Sequence, residues 1–496
     1  MSINIPKKVW FFLLTLTALR LIYVYFLPIT PQEAYYWYYA QHPAISYFDH
    51  PPVAAYSIWI STHLFGDTVF GVKFMALLWS LATNIFLYLT VKRATRCSNA
   101  ETNSEHLAIS AIALYNLTLF AHLYALLIVP DTPLIFFWML SIYFFQEIIN
   151  TGRRRYWIYS GLAVGFGLLS KYTMMGILPA FFTVMLVDPG MRKWFRTIYP
   201  YLAIVLMIIV FAPVLIWNDR HNWVSFGFQF TERASHVRHV QSKYLGQLLA
   251  SQLLMLTPLV LVYFVKIQFK LKTIWRERKS NNLYYYLTGL FLIGGFTLVS
   301  LRSLVKMNWL LPAYMGWLAL AVSLFYRKSI LRSLWFRTGL YFSLFLVLLL
   351  YSIQLIPNIP LGEGNTWSGW KSAAQGIYKL QKEKGGKNKC FLFANSYKSA
   401  SLLKFYIPDQ QETYAQNIYG RPALQFDIWG KPDSLSGKDA LYVFTDRREY
   451  KNDLKYVWAC FDTLMLLKKF EYTFTKNIHV RTIYCYYAQN YHPPQK

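Results

Sequence analysis

Acidic residues are scarce in this 496-residue chain: 23 Asp and Glu stand against 50 Lys and Arg, for a formal charge of +27. Cysteine is scarcer still, with Cys97, Cys390, Cys460 and Cys485 and no metal-type pair among them. That spacing argues against a cysteine-held zinc site and leaves open one disulfide among the last three. Phosphate-binding loops, GxSxG elbows and dinucleotide fingerprints are missing, so nucleotide-driven chemistry has no support. A solenoid-type repeat and a cleavable signal peptide are missing too. The first apolar span, after a short basic start, is long enough to serve as an uncleaved anchor.

What is abundant is apolar. Hydrophobic residues make up 55% of the chain and aromatics 19%, and the mean hydropathy is positive. Soluble domains sit lower, so the class is a polytopic α-helical membrane protein. Runs of the roughly 20 apolar residues that cross about 30 Å of hydrocarbon recur from Val9 to Ile356. They predict about eleven transmembrane helices. Residues 1–356 then form a transmembrane domain, and 357–496, polar and Lys-rich, a water-soluble α/β domain. Its strands are expected at Cys390–Ala394, Ala440–Thr445 and Ile478–Tyr487, and its helices at Ser368–Lys384 and Ser399–Tyr406.

The positive charge clusters between spans, at Lys7/Lys8, Lys92/Arg93/Arg96, Arg153–Arg155, Arg192/Lys193/Arg196, Lys266–Lys279 and Arg327–Arg337. This is the positive-inside pattern, which accounts for the charge without nucleic acid and places the amino terminus inside. Eleven crossings then put the carboxyl-terminal domain outside. Tyr156–Val187 is too long for one crossing and short for two, so Lys171 is expected at a turn recessed within protein. Arg20 lies inside the first span, either snorkelling or facing a polar cavity. Val53–Phe65 reads as a short apolar helix near the interface, stopped by Gly66, with Asp67 as N-cap of the helix that follows.

The richest stretch is PQEAYYWYYAQHPAISYFDHPP, Pro31–Pro52, with no Lys or Arg and with seven aromatics and four prolines in 22 residues. The outer-side inventory is completed by Asp131, Lys171, Arg233, Lys306 and Asn308. An inverting glycosyl transfer needs one carboxylate to deprotonate the acceptor hydroxyl, and phosphate leaves without a separate acid. Glu33 and Asp131 are the candidates for this work, expected to converge on one cavity. The alternatives are a solvated loop acid for Glu33 and a helix cap for Asp131, although Thr132 before Pro133 makes the better cap. A lipid-linked phosphate needs cations and donors in a water-poor site. Lys171 and His50 are the first candidates, with Arg233, Lys306, Asn308 and the neighbouring Asp49 behind them. Tyr35, Tyr36, Trp37, Tyr38, Tyr39, Tyr47 and Phe48 read as an interface belt or as sugar platforms. Glu33, Asp49, His42 and His50 are able ligands for a divalent ion, but Asp-x-Asp and His-x-x-x-His spacings are absent, so no metal or other cofactor is expected.

The same residues resemble the first outer loop of bacterial GT-C glycosyltransferases related to the dolichyl-phosphate-mannose protein mannosyltransferases, a group that includes the lipid A aminoarabinose transferases. PDTPL (130–134), LLSKYT (168–173), PVLIWNDRHNWVSFGFQF (213–230), KMNWLLPAY (306–314), FANSYKSASLLKFY and RPALQFDIW are similar in turn. The resemblance implies transfer of a sugar from a polyprenyl-phosphate donor to a glycolipid, glycan or protein acceptor, within the inner membrane and on its outer face. It implies that Glu33 and Asp131 flank the reaction centre. His50 would stand where aminoarabinose transferases have a phosphate-linked lysine, as a pH-dependent cation. Many relatives read Asp-Glu where this chain has Gln32-Glu33, which leaves the base role to Glu33 or alters the site. A transporter or flippase of lipid-linked sugars, and a catalytically silent relative, are the rival readings.

Overall fold

Apolar runs in this chain become helices, because a backbone surrounded by hydrocarbon must satisfy its own hydrogen bonds. The structure, a computed structural model, describes residues 5–96, 101–229, 240–277, 280–326, 333–361, 365–445, 453–475 and 477–494. Two compact units emerge. The first comprises Met1–Tyr25, Ala44–Ser57 and Lys73–Tyr351, and the second Phe26–Pro43, Ile58–Val72 and Ser352–Lys496.

Among the described residues, seven helices are long and apolar enough to cross a membrane: Val69–Ala94, Asp131–Thr151, Tyr199–Arg220, Ser242–Gln268, Asn281–Ser300, Met307–Phe325 and Leu334–Leu355. Two more candidate spans are bent pairs: Ser104–Tyr115 with Leu119–Leu126 at 72°, and Tyr172–Val187 with Pro189–Arg196 at 100°. The remaining expected crossings are helices with a handicap. α1 (Lys7–Val24) carries Lys7, Lys8 and Arg20, and Arg155–Ser170 has only 16 residues. In chain order, α2 is Pro31–Gln41, α3 Val53–Phe65, α4 Val69–Arg96, α5 Glu101–Tyr115, α6 Leu119–Leu126, α7 Asp131–Thr151 and α8 Arg155–Ser170. Gly66 follows α3 at φ +74, which suits glycine. The cap of α4 is Thr68, whose Oγ1 accepts from Gly71 N at 3.0 Å. The expected cap, Asp67, instead accepts from Trp37 Nε1 (2.7 Å) and Gln41 Nε2 (3.1 Å).

The second unit holds a five-stranded sheet in the order β2-β1-β3-β5-β4. β1 (Cys390–Ala394) runs parallel to β2 (Thr413–Tyr414) and β3 (Asp439–Thr445), while β5 (His479–Tyr491) is antiparallel to β3 and to β4 (Phe461–Thr473). β1 is buried along its whole length, as a central strand must be. Helices Trp370–Glu383 and Tyr397–Tyr406 match the two expected ones. Cys390, Cys460 and Cys485 are free buried thiols, so the disulfide left open by their spacing is not formed. Cys97 lies outside the described residues.

α2 belongs to this second unit, and its aromatics are core. Tyr35, Trp37, Tyr38 and Tyr39 are buried. Tyr35 packs on Tyr397 (centroids 4.5 Å), Trp37 on Phe405 (5.0 Å) and Tyr38 on Trp429 (4.8 Å). Neither a membrane belt nor an open sugar platform describes them. Burying aromatic surface against the sheet-domain helices is the stronger demand on these rings.

Candidate active site

The site in the first unit begins with a helix break. α8 ends at Ser170, Lys171 is extended (φ −162, ψ 141), and a 3-10 turn starts at Tyr172. This break turns the Lys171 side chain inward, where only 6% of the residue is exposed. Its Nζ donates to Asp131 Oδ1 at 2.7 Å. Asp131 Oδ2 accepts from Asn308 Nδ2, also at 2.7 Å, and Asn308 sits in the 3-10 turn Met307–Ala313. Three segments far apart in sequence thus meet on one buried carboxylate.

Asp131 is the first residue of α7, where the helix dipole favours an anion. It caps nothing: no side chain caps this helix end. Thr132 does not cap it either, because the helix starts before it. Its hydroxyl donates to Leu127 O at 2.6 Å and accepts from Val129 N at 3.4 Å, bracing the turn that presents Asp131. The charge-assisted pair on Asp131 is therefore its main engagement, and such bonds are the stronger kind.

Around this centre lie groups the sequence reading did not single out. Tyr124 is within electrostatic reach of Asp131. Tyr172, next to Lys171, shares a 2.8 Å hydrogen bond with Ser225 Oγ and lies within electrostatic reach of Asp49. Asp49 is buried, and its backbone oxygen accepts from Gln229 Nε2 at 2.7 Å. Ser225 and Gln229 fall in the PVLIWNDRHNWVSFGFQF stretch, which was the available signal. His50 is half-buried beside Asp49, Lys306 is exposed, and Arg233 lies outside the described residues.

Glu33 belongs to the second unit and is fully buried. The expectation of a solvated loop acid as its alternative fails, because Glu33 is the N3 residue of a capping box. Its backbone N donates to Thr30 Oγ1 (3.3 Å), and its Oε2 accepts from Thr30 N (3.0 Å) and Thr30 Oγ1 (2.9 Å). Thr30-Pro31-Gln32-Glu33 carries the T-x-x-E signature with proline at N1, and the sequence reading missed it.

A second cluster in that unit gathers on Glu412. It accepts from the Tyr38 hydroxyl at 2.5 Å, pairs with buried Lys404, and faces His42 Nε2 at 3.4 Å. Lys404 also sits 4.4 Å above the Tyr38 ring. Burial pushes the Glu412 carboxyl up, but His42, Lys404 and Tyr38 outweigh it and hold it down to about 2. Burial and the Glu412 charge push the Tyr38 hydroxyl well up. No group of three or more His, Cys, Asp or Glu positioned to hold a metal occurs among the described residues.

This fold, apolar helices in one unit and a small α/β domain in the other, has solved counterparts. Residues 49–217 match the family profile described as dolichyl-phosphate-mannose-protein mannosyltransferase, a stretch that includes Asp131 and Lys171 but not Glu33 or Asn308. The fold is that of ArnT from Cupriavidus metallidurans. Its structure bound to undecaprenyl phosphate is similar with a TM-score of 0.62 at 11% identity, over 97% of this chain and 98% of that one. The apo structure of the same protein gives 0.60 at 14% identity, over 96% and 98%. In sequence, the chain is 23% identical over 192 residues to the lipid A galacturonosyltransferase RgtD of Rhizobium johnstonii, a match spanning 38% of each protein. The chain has the apolar helices of a multi-pass membrane protein and an ArnT-like fold.

Proposed function

We propose that this protein transfers a sugar from a polyprenyl-phosphate donor to an acceptor hydroxyl, with inversion, on the periplasmic face of the inner membrane. Its amino terminus would be cytoplasmic. The observation that carries the reading is the buried Asp131, held through both oxygens by Lys171 and Asn308, on a fold shared with a protein solved with undecaprenyl phosphate. In the proposed step, the acceptor oxygen bonds to the anomeric carbon as the carbon–oxygen bond to phosphate breaks. A carboxylate takes the acceptor proton, and the polyprenyl phosphate leaves as an anion. Asp131 serves as base or as acceptor anchor, with Glu33 as the second candidate for the base. An ammonium has three donors, and Lys171 spends one on Asp131, so the others serve the donor phosphate. His50, Asp49, Lys306, Asn308 and Arg233 complete the proposed substrate contacts. The chemistry proposed needs no metal, because the leaving group is already a stable anion.

The name of the Rhizobium relative makes lipid A the first acceptor to try. Purified protein should release polyprenyl phosphate from a labelled polyprenyl-phosphate sugar and glycosylate the acceptor, with or without EDTA. Asp131→Asn should abolish this while leaving the protein folded and inserted. Normal turnover by that variant would sink the site assignment. Movement of the intact donor between leaflets without cleavage would point to a flippase instead.

A further inference from the structure

A second cation is buried in the helical unit, apart from Asp131. Arg20 is 3% exposed and lies four residues, about 6 Å of helical rise, from the end of α1. Neutral groups meet it: Nη1 donates to Ser80 Oγ (3.2 Å), and Nη2 to Asn116 Oδ1 (3.2 Å) and His122 Nδ1 (3.1 Å). Arg20 Nε is buried with no hydrogen-bond partner. A guanidinium has five donors, and these contacts use three.

His122 supplies no countercharge. Arginine only donates, so His122 Nδ1 presents its lone pair, which also receives the Tyr351 hydroxyl at 3.0 Å. The ring proton therefore sits on Nε2 and donates to Asn116 O at 2.8 Å. Asn116 Nδ2 passes on to Asn84 Oδ1 at 2.6 Å. The cluster carries one positive charge, and among the described residues no carboxylate touches Arg20. An uncompensated charge among membrane helices is costly, and its usual resolution is an anion.

The surroundings say where the anion comes from. Tyr23 on α1 donates to Tyr351 O at 2.6 Å, and the two rings meet edge-on at 4.6 Å. On the two helices that this tyrosine pair joins, α1 exposes Leu19 and Ile22, and helix Leu334–Leu355 exposes Leu344 and Phe345. An exposed apolar face on Leu334–Leu355, a helix long and apolar enough to cross a membrane, and on α1, the expected first crossing, suits a lipid environment. Arg20 is linked to this tyrosine pair through His122 Nδ1, and it sits in the last turns of its helix, the end that would approach the headgroup layer.

We infer that Arg20 binds the phosphate of an anionic membrane lipid, which enters between α1 and helix Leu334–Leu355 and takes the unused guanidinium donors. The site is separate from Asp131 and does not depend on the transfer reaction. The test uses full-length protein stripped of lipid in neutral detergent. Native mass spectrometry would titrate phosphatidylglycerol, undecaprenyl phosphate, phosphatidylcholine and inorganic phosphate in separate arms. One phosphatidylglycerol or undecaprenyl phosphate should bind at least tenfold more tightly to wild type than to Arg20→Gln, with Arg20→Lys between them. The lipid arm with the larger ratio names the source. Equal binding by wild type and Arg20→Gln would overturn the inference, as would inorganic phosphate competing as well as lipid. Should Arg20→Gln fail to fold, hydrogen exchange on wild type decides. Phosphatidylglycerol but not phosphatidylcholine should slow exchange over residues 16–24, and no difference would overturn the proposal.

Discussion

Lys171 and Arg20 are both buried cations in the helical unit, and their surroundings treat the charge in opposite ways. Lys171 has a carboxylate at 2.7 Å, so its charge is balanced within the chain. Arg20 has three neutral acceptors and, among the described residues, no acid. The first arrangement is closed, and removing the cation strands a buried carboxylate. The second is open, and removing the cation strands nothing charged.

The sharpest break in this comparison is at Asp131. Asp131→Asn should lower transfer by ~10²–10⁴-fold, the range for a lost general base, measured as polyprenyl phosphate released. Lys171→Met should come next, destabilising the protein by ~3–5 kcal/mol because it leaves a buried carboxylate without its cation. Thermal unfolding in detergent would show it, and adding Asp131→Asn should restore much of the loss without restoring transfer. Arg20→Met, in lipid-stripped protein, should leave the melting temperature level or higher, since replacing a buried ion by an apolar side chain is often neutral or stabilising. A fall as large as that of Lys171→Met would erase the distinction.

Two smaller effects extend the comparison to the second unit. Thr30→Ala should cost about 1 kcal/mol through the lost cap, whereas Glu33→Gln keeps the box, because Gln serves at N3. Any loss of transfer in Glu33→Gln then reports chemistry rather than folding. The Glu412 carboxyl is depressed from an ordinary 4.5 to about 2. Its contribution is therefore full above pH 4.5 and is lost as pH falls towards 2. Glu412→Gln should flatten the melting-temperature profile in that window, and an unchanged slope would remove Glu412 from the acid response.

Much of this organisation was legible in the chain. The helical runs, the break at Lys171 and three strands could be read because each is a local pattern. The capping box of Glu33 is local as well, since T-x-x-E with proline at N1 stands in the chain at Thr30-Pro31-Gln32-Glu33. The aromatics of α2 are a different case. Their partners lie far along the chain, as with Tyr38 and Glu412, 374 positions apart, and no local periodicity reports a distant surface. β4 escaped because an edge strand does not alternate cleanly: Met465 and Leu466 are exposed in succession, with Lys468 and Lys469 close behind. Asp131, Lys171 and Asn308 each stand out in the sequence as polar residues at outer turns, but their pairing belongs to the packing.

The three thiols of the sheet domain make a built-in gauge. Burial pushes Cys390 and Cys485 up to about 12 and raises Cys460 as well, and only the thiolate reacts. In a Cys97→Ser background, a maleimide dye should stay dark on the native protein and light up when this unit opens. Its unfolding could then be followed in an intact membrane, with no engineered label.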